Sequence, residues 1–190
     1  MDHLRQLVDE LLDLSMIESG EMNLDLQAVR PGTIVSQVAE RIRPVAQRRH
    51  VTVRVLDEPA LADEILARAD PSRLGQALLN PAHNAVKYSH SPGEVRVGWS
   101  VIGKYVRFSV ADDGIGIPVA HQARIFERFY KVDRSRARAE MEADDAQPRG
   151  GSGLGLAIVR NLAEAHGGNA GVESVEGSGS SFWIDVPMAS

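Results

Sequence analysis

The sequence predicts an α+β chain in which helices and strands are interleaved after one long amphipathic helix at the N-terminus. Two patterns carry that expectation. Apolar residues recur at three- and four-residue spacings in several stretches, and shorter runs alternate apolar with polar side chains as strands require. A third signal is the punctuation between them, supplied by Gly-x-Gly turns and by Pro at helix starts. The chain has 190 residues, 43% hydrophobic and 25% charged, which suits one ordinary domain with an appendage. Its 21 Lys and Arg against 26 Asp and Glu give a net charge of −5, which argues against a nucleic-acid-binding surface. Cysteine is absent, excluding disulfides, thiolate metal sites and cysteine nucleophiles and suiting a reducing cytoplasm. No apolar run is long enough to span a bilayer and no signal-peptide pattern opens the chain, so a soluble cytoplasmic segment is expected.

From Asp2 to Ile17, Leu4, Leu7, Leu11 and Leu14 recur at alternating spacings, Val8 and Leu12 widen the stripe, and Gly20 stops it. The regular heptad favours a helix from a bundle or dimer over one packed on its own domain, and hence self-association. Glu21 to Pro31 reads as a connector in which Met22, Leu24 and Leu26 alternate as a short strand, with a domain boundary near Arg30. Thr33 is expected to cap a helix that turns Ile34, Val35, Val38, Ile42 and Val45 toward a core. Val51 to Leu56 and Ile65 to Ala69 read as strands, and Asp70-Pro71-Ser72 starts a helix running to Tyr88. Its core residues are Leu74, Leu78 and Leu79, while Gln76, Asn80, Asn84 and Lys87 share a polar face. Asn is a poor choice for a merely solvated helix face, so two of them one turn apart suggest a ligand or metal role.

Glu94 to Val101 and Tyr105 to Asp112 read as a strand pair joined by a turn at Gly103. The next stretch, Asp112-Asp113-Gly114-Ile115-Gly116-Ile117-Pro118, sets a carboxylate beside two glycines that permit positive φ and close backbone approach. It is either a tight strand-to-helix turn capped by Asp112 or Asp113, or one wall of a nucleotide pocket. A short helix is expected from Val119, followed by an aromatic cluster at Phe126, Phe129 and Tyr130. Lys131 to Arg149 is highly charged and lacks an apolar period, as a mobile loop would. Gly150-Gly151-Ser152-Gly153-Leu154-Gly155 then opens an apolar helix through Ala165, so a glycine-rich segment leads free backbone N–H groups to a helix N-terminus, an arrangement suited to an anion. Val172 to Val175 and Ser181 to Val186, joined by the Gly177-Ser178-Gly179 turn, supply a last hairpin.

The ordered set of an Asn-bearing helix, Asp112-x-Gly114-x-Gly116, the Phe126 to Tyr130 cluster, the Gly151 to Gly155 loop and Gly177-x-Gly179 resembles a bacterial sensor histidine kinase. Residues 30–190 resemble the family's catalytic ATP-binding domain, of the GHKL or Bergerat-fold ATPase superfamily, with a lid at about 131–152. Residues 1–29 resemble the second helix of the dimerisation domain plus linker. The resemblance implies a two-layer α/β sandwich with a mixed sheet packed on helices. It further implies that Asp112 accepts the adenine amine, with Gly114, Gly116 and Ile117 shaping the wall. Asn84 and Asn80 would hold Mg²⁺ on the phosphates of ATP, and Lys87 and Lys131 would meet phosphate charge. Tyr88 and Tyr130 match positions lining the nucleotide, and Phe126 and Phe129 match an aromatic box that supports the lid. Gly151, Gly153, Leu154, Gly155 and Leu156 match the phosphate loop, and Ser181 falls where the family has a hydroxyl near the adenine. Gln76 and Arg134 are the candidates for a catalytic contribution, with Arg136 a second lid arginine.

The implied activity is transfer of the γ-phosphoryl group of Mg-ATP to a histidine, for signalling to a response regulator receiver domain. The implied partners also include the kinase's own phosphoacceptor helix and a second copy of the chain through the N-terminal helix, with no nucleic acid. The parent protein would be membrane-anchored. The family's His-Glu-Leu-Arg type acceptor motif does not occur, and His3 matches the start of the second helix, so the expected piece lacks the first dimerisation helix and does not phosphorylate itself. Pro81 is a further departure, expected to kink the Asn-bearing helix and weaken metal-nucleotide binding. The acidic stretch Glu140 to Asp145 is a third. The alternative function is a nucleotide-sensing or degenerate regulatory module that contacts the dimerisation helices or regulator without phosphotransfer.

Overall fold

The computed structural model describes residues 8, 11, 12, 14–17, 19, 22–56, 64–132 and 152–189. The ordered elements are strand β1 (Gln27–Val29), helix α1 (Pro31–Arg48), β2 (Val51–Val55), β3 (Ala67–Ala69), α2 (Pro71–Tyr88), β4 (Gly93–Ile102), β5 (Tyr105–Asp112), the single turn α3 (Val119–Gln122), α4 (Gly155–Ala165), β6 (Asn169–Val175) and β7 (Gly179–Pro187). A five-stranded sheet has the order β2-β4-β5-β7-β6, and a separate two-stranded sheet joins β1 to β3. In the larger sheet β2 and β4 are parallel and the other pairs antiparallel, which makes it the mixed sheet of the expected two-layer architecture.

Strand alternation decides which face is buried. In β5, Val106, Phe108 and Val110 are buried while Arg107, Ser109 and Ala111 are only partly covered. Their partners across β7 are Val186, Ile184 and Phe182, so one face of the two strands is continuously apolar. Helices α1, α2 and α4 supply the second layer through Ile34, Val38, Ile42, Leu74, Leu78, Ile158 and Leu162, all within the same core. Truncating one of these fully buried Leu or Ile side chains to Ala costs about 2–5 kcal/mol. The opposite face is polar. There Arg107 makes a two-point ion pair with Asp185 at 2.7 and 2.8 Å, and its guanidinium stacks 4.0 Å from the centroid of the Trp183 ring.

The helix starts differ in how they are capped. Thr33, the expected cap of α1, lies inside the helix: its N–H already donates to the Arg30 carbonyl, and Pro31 occupies the first turn, where its missing N–H costs nothing. Helix α2 begins as the sequence suggests, with the Asp70 carboxylate accepting from the N–H groups of Ser72 and Arg73 at 3.0 Å each. The second carboxylate oxygen of Asp70 accepts from the Asp25 N–H at 3.1 Å, and its own N–H donates to His166 Nε2 at 3.1 Å. His166 is therefore the Nδ1–H tautomer, with that proton directed to the Leu162 carbonyl. Asp70 thus ties together the segment entering the domain, the start of α2 and the end of α4.

Several sequence expectations shift. The strand proposed over Met22, Leu24 and Leu26 lies slightly later, at Gln27–Val29, where pairing with Ala67–Ala69 rather than apolar alternation defines it. The boundary expected near Arg30 falls between β1 and α1, and β1 is already part of the domain's pairing. The Pro81 position is buried and α2 passes through it without leaving the helical conformation. Residues 14–17 are helical, with Leu14 buried in the core but Val8, Leu11, Leu12 and Met16 exposed; Leu4 and Leu7 lie outside the described residues. Asp70→Ala is expected to lower the unfolding free energy by about 1–2 kcal/mol, read as a reduced urea midpoint at unchanged m, with Asp70→Asn losing less because it still caps.

Candidate functional site

The buried face of β5 and β7 ends in polar residues. Beyond the pairs Val106 with Val186, Phe108 with Ile184 and Val110 with Phe182 comes Asp112 opposite Ser180, both on the same face and 6% and 8% exposed. The chain has placed a carboxylate in phase with an apolar stripe, so it is drawn into the layer between sheet and helices. Burial pushes the Asp112 carboxyl above its usual range, although the N–H groups of Gly114 and Ser180 donate to it and oppose that shift. The Gly114 bond is 2.9 Å.

The turn after Asp112 is closed on every side by backbone. Ile115 N–H donates to the Tyr88 carbonyl at the end of α2, and the Ile115 carbonyl accepts from Gly177 N–H. A Cβ on Gly114 would collide with the Tyr88 carbonyl, and one on Gly116, which has a φ of 64°, would collide with the Val175 carbonyl. The glycines are thus needed for close approach of the turn to α2 and β6. Asp113 plays a separate part: both its oxygens accept from Glu94 N–H, at 3.2 and 3.1 Å, fastening the turn to the start of β4. Of the two aspartates, only Asp112 lies on the inner face.

A side-chain clasp holds the same turn from behind. Gln122 Nε2 donates to the carbonyls of Ile117 and Ser174, each at 2.8 Å, and Ser174 Oγ accepts from Ile117 N–H at 2.8 Å. Ser174 also donates to the Gly179 carbonyl at 2.8 Å and lies 2.9 Å from Ser180 Oγ. Ile117 itself is buried.

A second group of residues gathers where α2 meets α4. Asn80 Nδ2 donates to the Gly155 carbonyl at 3.1 Å, which fixes the orientation of its amide. The Asn84 side chain, one turn later, makes no hydrogen bond among the described residues, and Lys87 stands 5.0 Å from the Tyr88 ring centroid. Gln76 accepts from Arg73 through its side-chain oxygen at 3.1 Å. Gly155 is the first residue of α4, so it, Leu156 and Ala157 carry N–H groups with no partner inside the helix, while Leu154 N–H is taken by Ser152 Oγ. Gly153, with a φ of 79°, lies against Phe129, whose N–H donates to the Gly153 carbonyl at 2.9 Å. Leu154 is fully buried and Leu156 partly so.

The aromatic cluster divides. Phe126 is buried with Arg160 stacked 4.6 Å from its ring centroid, whereas Phe129 is 63% exposed at a φ of 60°. The Tyr130 hydroxyl bonds to His121 Nδ1 and Arg124 covers its ring, so its described partners come from the α3 region; Lys131 is exposed. Ser181, expected near the adenine, pairs with Ala111 on the other face of β7, and Ser180 takes the inner position opposite Asp112 because side chains alternate. Gly151, Arg134 and Arg136, and with them most of the expected lid, lie outside the described residues. The sequence reading missed Ser180, Ser174, Gln122 and the fastening role of Asp113. Only Ser180 left a signal, since it is in phase with Phe182 and Ile184.

The chain belongs to the histidine kinase-, DNA gyrase B- and HSP90-like ATPase family, whose pattern it matches over residues 69–190. Its similarity within that family is to sensor histidine kinases. It is 35% identical over 186 residues to the circadian input-output histidine kinase CikA of Synechococcus elongatus, covering 98% of this chain and 23% of that protein. It is also 35% identical over 188 residues to the sensor-like histidine kinase SenX3 of Mycolicibacterium smegmatis, covering 97% of this chain and 44% of that one. Among solved structures, full-length ShkA in complex with AMPPNP superposes with a TM-score of 0.83 at 36% identity over 100% of this chain and 36% of the other. The chain therefore spans less than half the length of each of these proteins. Gly116→Ala is expected to destabilise the domain by roughly 1–3 kcal/mol or more, through the left-handed φ and the collision with Val175, and thermal melting checks it.

Proposed function

We propose that the chain is the ATP-binding catalytic segment of a sensor histidine kinase. It binds Mg-ATP and supplies the γ-phosphoryl group to a histidine on a dimerisation helix, from which a response regulator receiver domain takes it. The observation that carries this reading is the buried Asp112 carboxylate paired with Ser180 at the end of an otherwise apolar face, bounded by backbone that only glycine permits. A buried acceptor facing an apolar slot suits the exocyclic amine of adenine. Residues 1–29 serve as the second dimerisation helix and linker, and the exposed Val8, Leu11, Leu12 and Met16 are the surface through which two copies associate. The parent protein is anchored in the membrane, with this segment on the cytoplasmic side.

The polar residues of α2 and the start of α4 serve the triphosphate. Asn84 and Asn80 offer amide oxygens, which suit the hard Mg²⁺ ion, and no cluster of His, Cys, Asp and Glu able to hold a metal occurs among the described residues. When bound, Mg²⁺ supplies charge neutralisation on the phosphate oxygens. Lys87 and Lys131 add positive charge, and the N–H groups at the start of α4, which have no partner inside the helix, suit the developing charge on the phosphates. In the transfer the acceptor imidazole nitrogen forms a bond to the γ-phosphorus as the bond to the bridging oxygen breaks, releasing ADP. Gln76 and the lid's Arg134 are the candidate assisting groups, and Tyr88, Tyr130, Leu154 and Leu156 complete the nucleotide surroundings.

Asp112→Asn is expected to weaken ATP binding at least about tenfold, measured by calorimetric titration, because a charge-assisted acceptor is lost. Affinity is also expected to fall on acidification. The carboxylate must be ionised to accept from the amine, and burial raises its pKa above 3.8, so half-loss comes at a higher pH than an ordinary Asp would give. The same sign means that the buried charge costs folding stability at neutral pH, a cost relieved as pH falls through the folded-state value. In a transfer assay, the chain mixed with a supplied acceptor helix domain and γ-labelled Mg-ATP is expected to label the acceptor histidine. ATP binding without any transfer supports the regulatory-module reading instead.

A further inference from the structure

We propose that Ser174 is a positioning residue that sets base specificity by fixing the hydroxyl proton of Ser180, so that the pocket accepts a 6-amino purine and rejects a 6-oxo one. This rests on the ATP-site reading above. Ser174 Oγ has one proton and two lone pairs. The Gly179 carbonyl, 2.8 Å away, can only accept, so the Ser174 proton goes there. Ile117 N–H, also 2.8 Å away, can only donate and takes one lone pair. The contact of 2.9 Å between the two serine hydroxyls can then form only with Ser180 as donor, into the remaining lone pair of Ser174.

Ser180 thereby has no proton left to offer. It lies opposite Asp112 on the buried face, so the pocket meets a ligand with a carboxylate and a hydroxyl oxygen that are both acceptors. An exocyclic amine carries two N–H donors and satisfies both, directly or through a bridging water. A 6-oxo group would meet two acceptors with no donor between them and stay unpaired, which is the costly case for a buried polar group. Were Ser174 unable to accept, the Ser180 hydroxyl would be free to rotate and donate to an oxo group. Ser174 sits on β6, and with Gln122 it fastens Ile117 and Gly179, so the residue that fixes the proton also joins the two glycine turns.

The test compares ATP with inosine triphosphate, which exchanges the 6-amino for a 6-oxo group, by calorimetric titration of the full chain. The unaltered chain is expected to prefer ATP at least about tenfold. Ser174→Ala is expected to erode that ratio severalfold, chiefly by improving relative binding of the inosine nucleotide, whereas Ser174→Thr, which keeps a hydroxyl, retains it. Ser180→Ala, which removes the acceptor while leaving the bonds of Ser174 to Ile117 and Gly179 in place, is expected to lower the ratio as well. An unchanged ratio in Ser174→Ala, or equal weakening of both nucleotides there and in Ser180→Ala, overturns the inference while leaving the ATP site standing. Absence of ATP binding by the unaltered chain overturns the ATP-site reading and this inference with it.

Discussion

The in-register pairing of β5 with β7 is the constraint on which the rest of the molecule depends. It lines up Val106, Phe108 and Val110 with Val186, Ile184 and Phe182 as the floor of the core, and the same alternation delivers Asp112 and Ser180 to the inner face where that floor ends. A slip of one residue would send the apolar set outward and exchange Asp112 for Asp113. Folding and recognition therefore rest on the same register. Hydrophobic burial along most of its length carries the energetic cost of holding one carboxylate out of water at its end.

Much of this was legible in the sequence because it is written in local signals. Helical spacing found α1, α2 and α4, alternation found β4, β5 and part of β7, and Asp70-Pro71 marked the start of α2. The glycines of the Asp112 to Gly116 turn announced a close approach whose target, the ends of α2 and β6, only the tertiary structure reveals. What stayed hidden depends on pairing between distant strands. Ser181 and Ser180 are equivalent in composition and differ only in which way β7 faces, which is fixed by partners on β5 some seventy residues earlier in the chain. Ser174 and Gln122 looked like ordinary surface residues because their function is to bond backbone groups of other segments. Thr33 misled because the helix already begins at Pro31, two residues earlier, which leaves Thr33 inside its first turn. The β1 strand is defined by the partner it finds rather than by its own pattern.

Helix α2 joins the two halves of the candidate site. Its C-terminal carbonyl at Tyr88 receives the Ile115 N–H of the turn after Asp112, while Asn80 holds the first residue of α4. With a rise of about 1.5 Å per residue, these contacts lie roughly 12 Å apart along one axis, so the spacing between the Asp112 turn and the start of α4 is set by a single element.

The Asp70 junction gives that axis a handle. An α-helix moves along its length nearly as a rod, and the cap of this one is bonded through its free carboxylate oxygen to Asp25, in the segment that leads in from the N-terminal helix. The position of Asp25 is therefore coupled through one carboxylate to the first turn of α2, and through the Asp70 N–H to His166 at the end of α4.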